Sequence, residues 1–472
     1  MKLHKLIIIL PLAISACAMF GGPEYSRPNV NIPDQWSDNS RLFNAQESSS
    51  NIAALAWWQR FNDPQLNQLI KQVLANNADL SAASANIEAA QSNLKIVNSQ
   101  WVPTINLGGG NFTGNFPPLF VNGFDNYLGL TASYNLNAAS QIDNHKIAKL
   151  NIKLQQAKLN ALRLTLLSQT ATTYFQLIAA NQQLVLFNQV ANDLQAKQNL
   201  LTDQLQKGLI SNLEVSDNQQ KVLDLEAKIP QIRQNIMTLQ NTLQVLLNHN
   251  PGVYPTDINL EQIKTSGVVP QNLSSKVLMQ RPDIMIANYN LQIANAKIGA
   301  AYSNFFPTLN ILAPVGTENY GSFENSNFFG STYWFSFVSA TIPVLNLVNY
   351  GKVDKAKAEY QAQANSYVST VRSAFSEVQD SISWQKNSAD SLKLYDQKLA
   401  AAGQTYKLSQ IRFQKGAVGY ASVLHYKLQM DTAQDNYNQA KLAQLNSLVN
   451  LYQVLGSGYQ IESAAVNENK EQ

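Results

Sequence analysis

Charged residues are scarce in this chain, where they make up 14% of 472 residues, against roughly 25% in ordinary soluble domains. Asn, Gln, Ser and Ala take their place. The net charge of +3 is spread along the chain, so we predict no nucleic-acid partner. Long apolar runs are also missing, because no internal stretch reaches the roughly 18–20 apolar residues of a membrane-spanning helix. The composition therefore fits neither an ordinary soluble domain nor a helical membrane protein.

Patterns that carry chemistry are missing too. The single cysteine, Cys17, excludes disulfides and thiolate metal sites within the chain, and the four histidines share no metal-ligand spacing. No phosphate-binding glycine loop or nucleophile elbow stands out. Arg281 and Asp283 flank Pro282, which is typical of a helix start where an acidic group offsets the macrodipole. We therefore predict no enzymatic activity, no cofactor and no metal.

The N-terminus gives the lone cysteine a role. Lys2 and Lys5 precede a short apolar core, and small residues lie just before Cys17. This is the pattern of a secretory signal peptide over residues 1–16. Its end resembles a bacterial lipobox, in which the cysteine becomes the lipid-bearing first residue of the mature protein. The alternative is a plain signal peptide, cut near Ala16, that leaves Cys17 unmodified.

The body of the chain is a tandem duplication. Eight identities recur at a fixed offset of 204 residues, pairing for example Asp79 with Asp283 and Ser99 with Ser303. The unit is far longer than the roughly 20–50 residues of a solenoid repeat. The predicted segments are a signal peptide (1–16), a lipidated tether (17–64), a first repeat (65–250), a linker (251–274), a second repeat (275–456) and a C-terminal tail (457–472).

Each repeat contains a pair of candidate membrane strands, at about 104–136 and about 308–342. Alternating apolar residues such as Leu128, Leu130 and Ala132 give the returning strand one apolar face. A strand of about ten residues crosses a bilayer at a tilt. The alternative is a pair of soluble hairpins.

Helical periodicity fills the rest of each repeat. We predict one helix over 66–101, a long run over 139–207 that would span about 100 Å, and a third helix over 212–248. Glycine ends the long runs, at Gly208 and Gly416, as a reversing helix terminus requires. Four strands are too few to close a barrel, for which about eight are needed. The chain must therefore oligomerise, and an open pore needs at least three copies.

Several motifs resemble the TolC-like outer membrane factors, in particular their lipidated efflux branch of the OprM/NodT type. They are Gly22 to Pro28 after the cysteine, Trp57-Trp58 with Phe61 to Leu66 before the first helix, and Gln280 to Ile284 in the second repeat. The resemblance covers nearly the whole mature chain. It departs at Asn137-Ala138-Ala139, where many relatives have a glycine-containing turn.

The resemblance implies a mainly α fold with membrane β: long coiled-coil helices form a periplasmic α-barrel, and four strands per chain enter a shared trimeric outer-membrane β-barrel. It also implies a lipid-anchored homotrimer in the bacterial outer membrane. Its expected partners are a periplasmic adaptor protein, an inner-membrane pump and outer-membrane lipid.

Two site predictions follow from the resemblance. The turns between helices would form the periplasmic rim that meets the adaptor, unless they are simple turns with no partner. The rim residues are Gly208, Leu209, Ile210, Ser211, Gly416, Ala417, Val418 and Gly419. The gate predicted next to the rim comprises Glu214, Phe413, Tyr420, Ser422 and His425.

The gate departs from the family pattern. Family members close the pore with acidic residues where this chain has Ser422 and His425, and lock it with a Tyr and an Arg where it has Phe413 and Val418. Glu214 keeps one acidic group. Closure is therefore either electrostatic, with His425 imidazoles at the axis, or mainly steric, with Tyr420 filling the throat.

We predict a passive outer-membrane exit duct of a tripartite efflux system. The alternative is the outer-membrane conduit of a type I protein secretion system. A structural coiled-coil spacer of the envelope is a third possibility.

Overall fold

The computed structural model describes residues 22–33, 52–116, 121–256, 258–265, 275–320 and 331–460. Its fold confirms the predicted class, a mainly helical chain with strands in each repeat. The helices are α1 (Pro64–Asn76), α2 (Ala78–Ser99), α3 (Ala138–Gln206), α4 (Asn212–Leu246), α5 (Pro282–Tyr302), α6 (Leu347–Gln414) and α7 (Tyr420–Val454). The strands are β1 (Thr104–Phe116), β2 (Val121–Leu136), β3 (Thr308–Tyr320), β4 (Ser331–Trp334) and β5 (Phe337–Thr341).

The chain divides into two compact units. One, called here the strand unit, comprises Met1–Asn29, Ala85–Ala157 and Met285–Ser369. The other, the hairpin unit, comprises Val30–Ser84, Lys158–Ile284 and Thr370–Gln472. Across the described ranges, no helix combines the length and the apolar character needed to cross a bilayer.

The strands form one antiparallel sheet in the order β1-β2-β3, with β4 and β5 both paired to β3. β4 and β5 keep a common register along β3, so they are two parts of the single returning strand that the sequence predicts. The break lies opposite Pro314. The amide of Phe335 donates to the carbonyl of Pro314 at 3.3 Å, but proline has no amide to return the bond.

The register separates an apolar face of the sheet from a polar one, because residues directly opposite each other share a face. One row of the apolar face is Leu107, Leu130, Val315 and Trp334. On the polar face, Asn135 Nδ2 donates to Asn310 Oδ1 at 2.7 Å. Apolar residues outside and polar residues inside are typical of a transmembrane barrel.

The aromatic residues of the returning strand divide between these faces. Tyr333, Phe335 and Phe337 lie on the polar face, while Trp334 lies on the apolar face and is 77% exposed. The Tyr333 side chain lies directly over Gly129 and Gly316. A Cβ atom added to either glycine would lie within 3.0 Å of a Tyr333 side-chain atom. These two glycines therefore let the ring lie close to the sheet.

The prediction of one helix over 66–101 is wrong, because the chain breaks at Asn77 between α1 and α2. Asn77 has extended backbone angles, and its side-chain oxygen accepts from the amides of Asp79 and Leu80 at 3.0 and 3.2 Å. Its side-chain amide donates to the carbonyl of Leu246 at 3.0 Å. Asn77 therefore caps α2 and ties it to the end of α4.

The main core of the hairpin unit includes segments that the sequence assigns to the tether and the tail. Trp57 and Phe61, in the predicted tether, are fully buried, and Trp57 stacks on Tyr452 with ring centroids 5.3 Å apart. Tyr459, in the predicted tail, is 1% exposed and donates to the carbonyl of Gln280 at 2.7 Å. Residues 52–64 of the predicted tether and residues 457–460 of the predicted tail therefore belong to the folded hairpin unit.

Candidate functional site

The two predicted rim turns have the same backbone geometry. Gly208 and Gly416 each have φ of 70°, a left-handed conformation that glycine adopts without strain. The amide of Gly208 donates to Leu205 and that of Leu209 to Gln204, both at 2.9 Å. The second turn repeats both bonds, with Gly416 and Ala417 as donors. These are the two hydrogen bonds of a Schellman motif, which ends α3 and α6 alike.

Beyond the glycines, the two turns begin their next helices differently. The hydroxyl of Ser211 caps α4 by accepting from the amide of Leu213 at 3.2 Å, and it donates to the carboxylate of Glu214. This hydroxyl bond, followed by bonds to backbone amides, lowers the pKa of Glu214. Gly419 begins α7 with no side-chain cap. A carboxylate therefore accompanies the helix start at the first turn but not at the second.

Apolar side chains stand exposed at both turns. Leu209 is 70% exposed and Leu213, one turn further, is 75% exposed. Ala417 is exposed, and Ile210 and Val418 are half-buried. Two leucines so fully in water at the end of a helical hairpin are suited to contact with another protein.

Two of the predicted gate residues of the second turn are in contact. Phe413 and Tyr420 flank the turn, and their rings are in contact with centroids 5.5 Å apart. His425 is exposed, with its Nε2 3.0 Å from Nε2 of Gln429, and Ser422 is half-buried. Glu214 lies beside the first turn, where its carboxylate accepts a hydrogen bond from Ser211.

An ion pair that the sequence analysis missed joins α7 to α3. Lys427 contacts the carboxylate of Asp193, and Asp431 lies 3.9 Å away. Burial alone would lower the pKa of Lys427, but the hydrogen bond to Asp193 and the nearby carboxylates outweigh burial and raise it. Burial raises the pKa of Asp431. The only sequence signal was the spacing of Lys427 and Asp431, one helical turn apart.

The predicted lipid anchor, Cys17, lies outside the described residues. The chain that follows it is placed in the strand unit, where residues 22–29 run along α5. Tyr25 donates to Asn288 at 2.5 Å, and Asn295 donates to the carbonyl of Pro23 at 2.7 Å. A side chain on Gly22 would meet the backbone of Gly299 at 2.5 Å, so glycine lets the two segments touch. We call residues 22–29 the strap.

Comparison with known proteins identifies the family. A family profile described as outer membrane efflux protein matches residues 69–249 and 273–457. The chain belongs to the outer membrane efflux protein family. It is 27% identical over 456 residues to the cation efflux system protein CusC of Escherichia coli O157:H7, covering 95% of this chain and 97% of CusC. It is 26% identical over 480 residues to the probable efflux pump outer membrane protein TtgC of Pseudomonas putida, covering 98% and 97%.

Solved structures share the fold of this outer membrane efflux protein. A crystal structure of CusC superposes with a TM-score of 0.76 at 25% identity, covering 93% of this chain and 99% of the other. The open state of the MtrE channel of Neisseria gonorrhoeae superposes with a TM-score of 0.79 at 23% identity, covering 93% and 98%. The chain is thus an outer-membrane duct of a tripartite efflux system.

Proposed function

We propose that this efflux duct works as a homotrimer, and that the two turns at Gly208 and Gly416 form the rim that docks a periplasmic adaptor protein. The observation that carries this proposal is the repeated Schellman turn with exposed apolar residues beside it, above all Leu209. Two equivalent turns per chain offer the adaptor two similar docking positions in each protomer. The inner-membrane pump delivers the substrate through the adaptor.

We further propose that the pump, not the duct, selects the substrate, and that the duct carries no enzymatic activity. The chain is about equally similar to proteins named for different cargo, a cation efflux protein at 27% identity and a toluene efflux protein at 26%. A duct framework that serves cations in one system and toluene in another discriminates little by chemistry. These named relatives are efflux proteins, which favours efflux over the type I secretion alternative.

We assign the gate to the second turn. Support comes from the contact between the Phe413 and Tyr420 rings, which gives each protomer an aromatic pair beside the rim. Three such pairs, related by the trimer axis, would narrow the throat sterically. The exposed His425, in the second turn of α7, would add charge to the constriction when protonated.

The docking assignment is tested by charge substitution at the rim. Leu209→Glu and Val418→Glu should abolish drug resistance in cells that depend on this duct, because a bulky charge at an apolar contact is left unpaired when the partner docks. Protein levels in the outer membrane should stay unchanged. Leu209→Val, which keeps an apolar side chain, is the matched control. Full resistance in both glutamate variants would overturn the assignment.

A further inference from the structure

The first part of α3 carries positive charge that no acidic residue of the same stretch balances. No Asp or Glu occurs between residues 144 and 192. The cationic residues of this stretch are Lys146, Lys149, Lys153, Lys158 and Arg163. The start of α6 differs, because Lys355 there pairs with Glu359 at 3.8 Å. The first repeat therefore has an excess of positive charge at the start of its long helix.

Four residues of α3 form one exposed row. Ile142, Lys146, Lys149 and Lys153 follow each other at steps of four, three and four residues, which places them on one face of the helix. Ile142 is 60% exposed, and the three lysines are exposed. Among the described residues, none of the three ammonium groups has a carboxylate within ion-pair distance. We call these four residues the lysine row.

The lysine row begins where the chain leaves the sheet. α3 starts at Ala138, two residues after β2 ends at Leu136. At a rise of about 1.5 Å per residue, Lys146 and Lys149 lie about 12 and 17 Å along the helix. Side chains of an α-helix tilt towards its N-terminus, so these lysines point back towards the strands. Ile142 is the member of the row nearest the sheet.

The strap lies close to the sheet end of the row. Gly22 of the strap touches Gly299 on α5, and the carboxylate of Asp143 lies within 3.0 Å of the position of a Cβ atom on Gly299. Burial raises the pKa of Asp143, and the charge of Lys146, three residues further along α3, opposes that rise. The lysine row therefore starts beside the segment that leads to the predicted lipid anchor, Cys17.

Apolar and aromatic side chains are exposed next to the start of α3. Gln141 donates to the carbonyl of Gln100 at 3.0 Å, which holds the start of α3 against the end of α2. Trp101 and Val102, directly after Gln100, are 40% and 62% exposed. An exposed tryptophan and apolar side chains, with lysines beyond them, are typical of the interface between a membrane and water.

We infer that the lysine row binds the anionic headgroups of phospholipids in the periplasmic leaflet of the outer membrane. Ile142 lies at the boundary of the acyl chains, and Lys146 and Lys149 contact headgroup phosphates. Lys153 acts over a longer distance, limited by the Debye length of about 8–10 Å. This inference depends neither on adaptor docking nor on a lipid at Cys17.

The order of residues along the row favours a phospholipid surface over an acidic protein. The apolar member is nearest the sheet, and the charged members follow with increasing distance from it. A bilayer presents its acyl chains and its phosphates in the same order. An acidic protein surface would have no reason to match this order.

Native mass spectrometry of the purified full-length protein in detergent tests the inference. Phosphatidylglycerol is the anionic probe and phosphatidylcholine the neutral one. Each lysine beside an anionic membrane strengthens binding about fivefold. Lys146→Gln combined with Lys149→Gln should therefore weaken phosphatidylglycerol binding about 25-fold and leave phosphatidylcholine binding unchanged. Lys158→Gln is the matched control, because Lys158 is exposed but lies five residues after Lys153, off the row.

A measurement on the wild-type protein accompanies the variants. At a salt concentration of 1 M the Debye length falls to about 3 Å, so wild-type protein should lose most of its preference for phosphatidylglycerol. Unchanged phosphatidylglycerol binding in the double variant would overturn the inference, and so would an equal loss in Lys158→Gln. Unchanged lipid binding together with lost drug resistance in the double variant would show that an acidic protein occupies the row instead.

Discussion

Arg281 shows how one charged residue can organise several segments of the hairpin unit. Its side chain is 7% exposed. It donates to the carbonyl of Val454 at 2.6 Å and pairs with Asp283 and Glu377 at 2.7 and 2.6 Å. Gly456 packs against it with φ of 69°. The residue therefore links the start of α5 and the end of α7 to the middle of α6.

The expected free-energy contributions show which of these contacts stabilises the unit most. The two carboxylate side chains are 45% and 51% exposed, and exposed ion pairs contribute only about 0–1 kcal/mol. Charge-assisted hydrogen bonds to buried groups contribute roughly 1.5–3 kcal/mol. We therefore expect Arg281→Ala to lower the free energy of unfolding by about 2–3 kcal/mol, and Glu377→Gln by less than about 1 kcal/mol.

Thermal unfolding of the purified protein, followed by circular dichroism, measures both changes. Lys355→Ala is the control, since Lys355 forms an exposed pair with Glu359 at 3.8 Å and should leave the melting temperature unchanged. Equal decreases in melting temperature in Arg281→Ala and Glu377→Gln would contradict this expectation. They would show that the ion pair with Glu377, and not the hydrogen bond to the carbonyl of Val454, provides the stability.

His425 decides between the two gate hypotheses. If three imidazoles face the axis, each ring that carries a second proton places a positive charge in the constriction. Anion preference of the single channel should then rise as the pH falls, and the rise should disappear in His425→Ala. Divalent cations should block the channel only weakly.

A second variant, Tyr420→Ala, removes an aromatic side chain from the proposed throat. A steric gate predicts a larger conductance in Tyr420→Ala at every pH. The assignment of His425 to the gate would be wrong if conductance and selectivity do not change with pH and are the same in His425→Ala.

At the scale of helices and strands, sequence periodicity predicted most elements, and the differences have local causes. The break at Asn77 was missed because apolar residues continue on both sides of it, although asparagine favours helix caps and its cap bonds to Asp79 and Leu80 are local. The split of the returning strand comes from Pro314 on the neighbouring strand. Because Pro314 lies on another strand, periodicity within the returning strand could not have shown this split.

Pro230 is the opposite case, because a proline that usually ends a helix lies inside one here. α4 continues through Pro230 from Asn212 to Leu246. Ile229 and Ile232, on either side of it, are buried at 9% and 8% exposure. Packing of this apolar stripe therefore outweighs the hydrogen bond that proline cannot donate to the carbonyl of Glu226.

Pro230→Ala should accordingly stabilise the hairpin. Alanine restores the missing amide donor, and proline in a helix interior costs up to about 3 kcal/mol relative to alanine. A higher melting temperature is the expected result, with Lys228→Ala on the exposed side of the helix as a neutral control. A lower melting temperature would show that the packing of α4 depends on the proline ring itself.

For the molecule as a whole, the duplication was the strongest sequence signal, while apolar periodicity and the family resemblance predicted the mainly helical class and the paired strands. The candidate site was only partly predictable. Gly208 and Gly416 are visible as turn residues because a reversing helix needs glycine. The ion pair of Lys427 with Asp193 joins residues far apart in the chain, and no periodicity indicates such a partner.

The predicted lipid anchor at Cys17 would attach the whole molecule to the membrane. The strap brings Gly22 to Gly299, which lies in the last turn of α5, just before β3. Covalent geometry lets Cys17 lie no more than about 18 Å from Gly22. An acyl chain on Cys17 would therefore be attached close to the strands, where the bilayer begins.

Cys17→Ser should abolish incorporation of labelled palmitate while the protein still reaches the outer membrane as a trimer. Lipidation adds only about 0.8 kcal/mol per buried methylene, whereas in lipid the strands hold the molecule through a closed barrel. The measurement is radiolabelling followed by membrane fractionation, with Ala18→Ser as the control that keeps the cysteine. If labelled palmitate never enters the wild-type protein, the plain signal peptide is the correct interpretation, and the strap alone holds the N-terminus against α5.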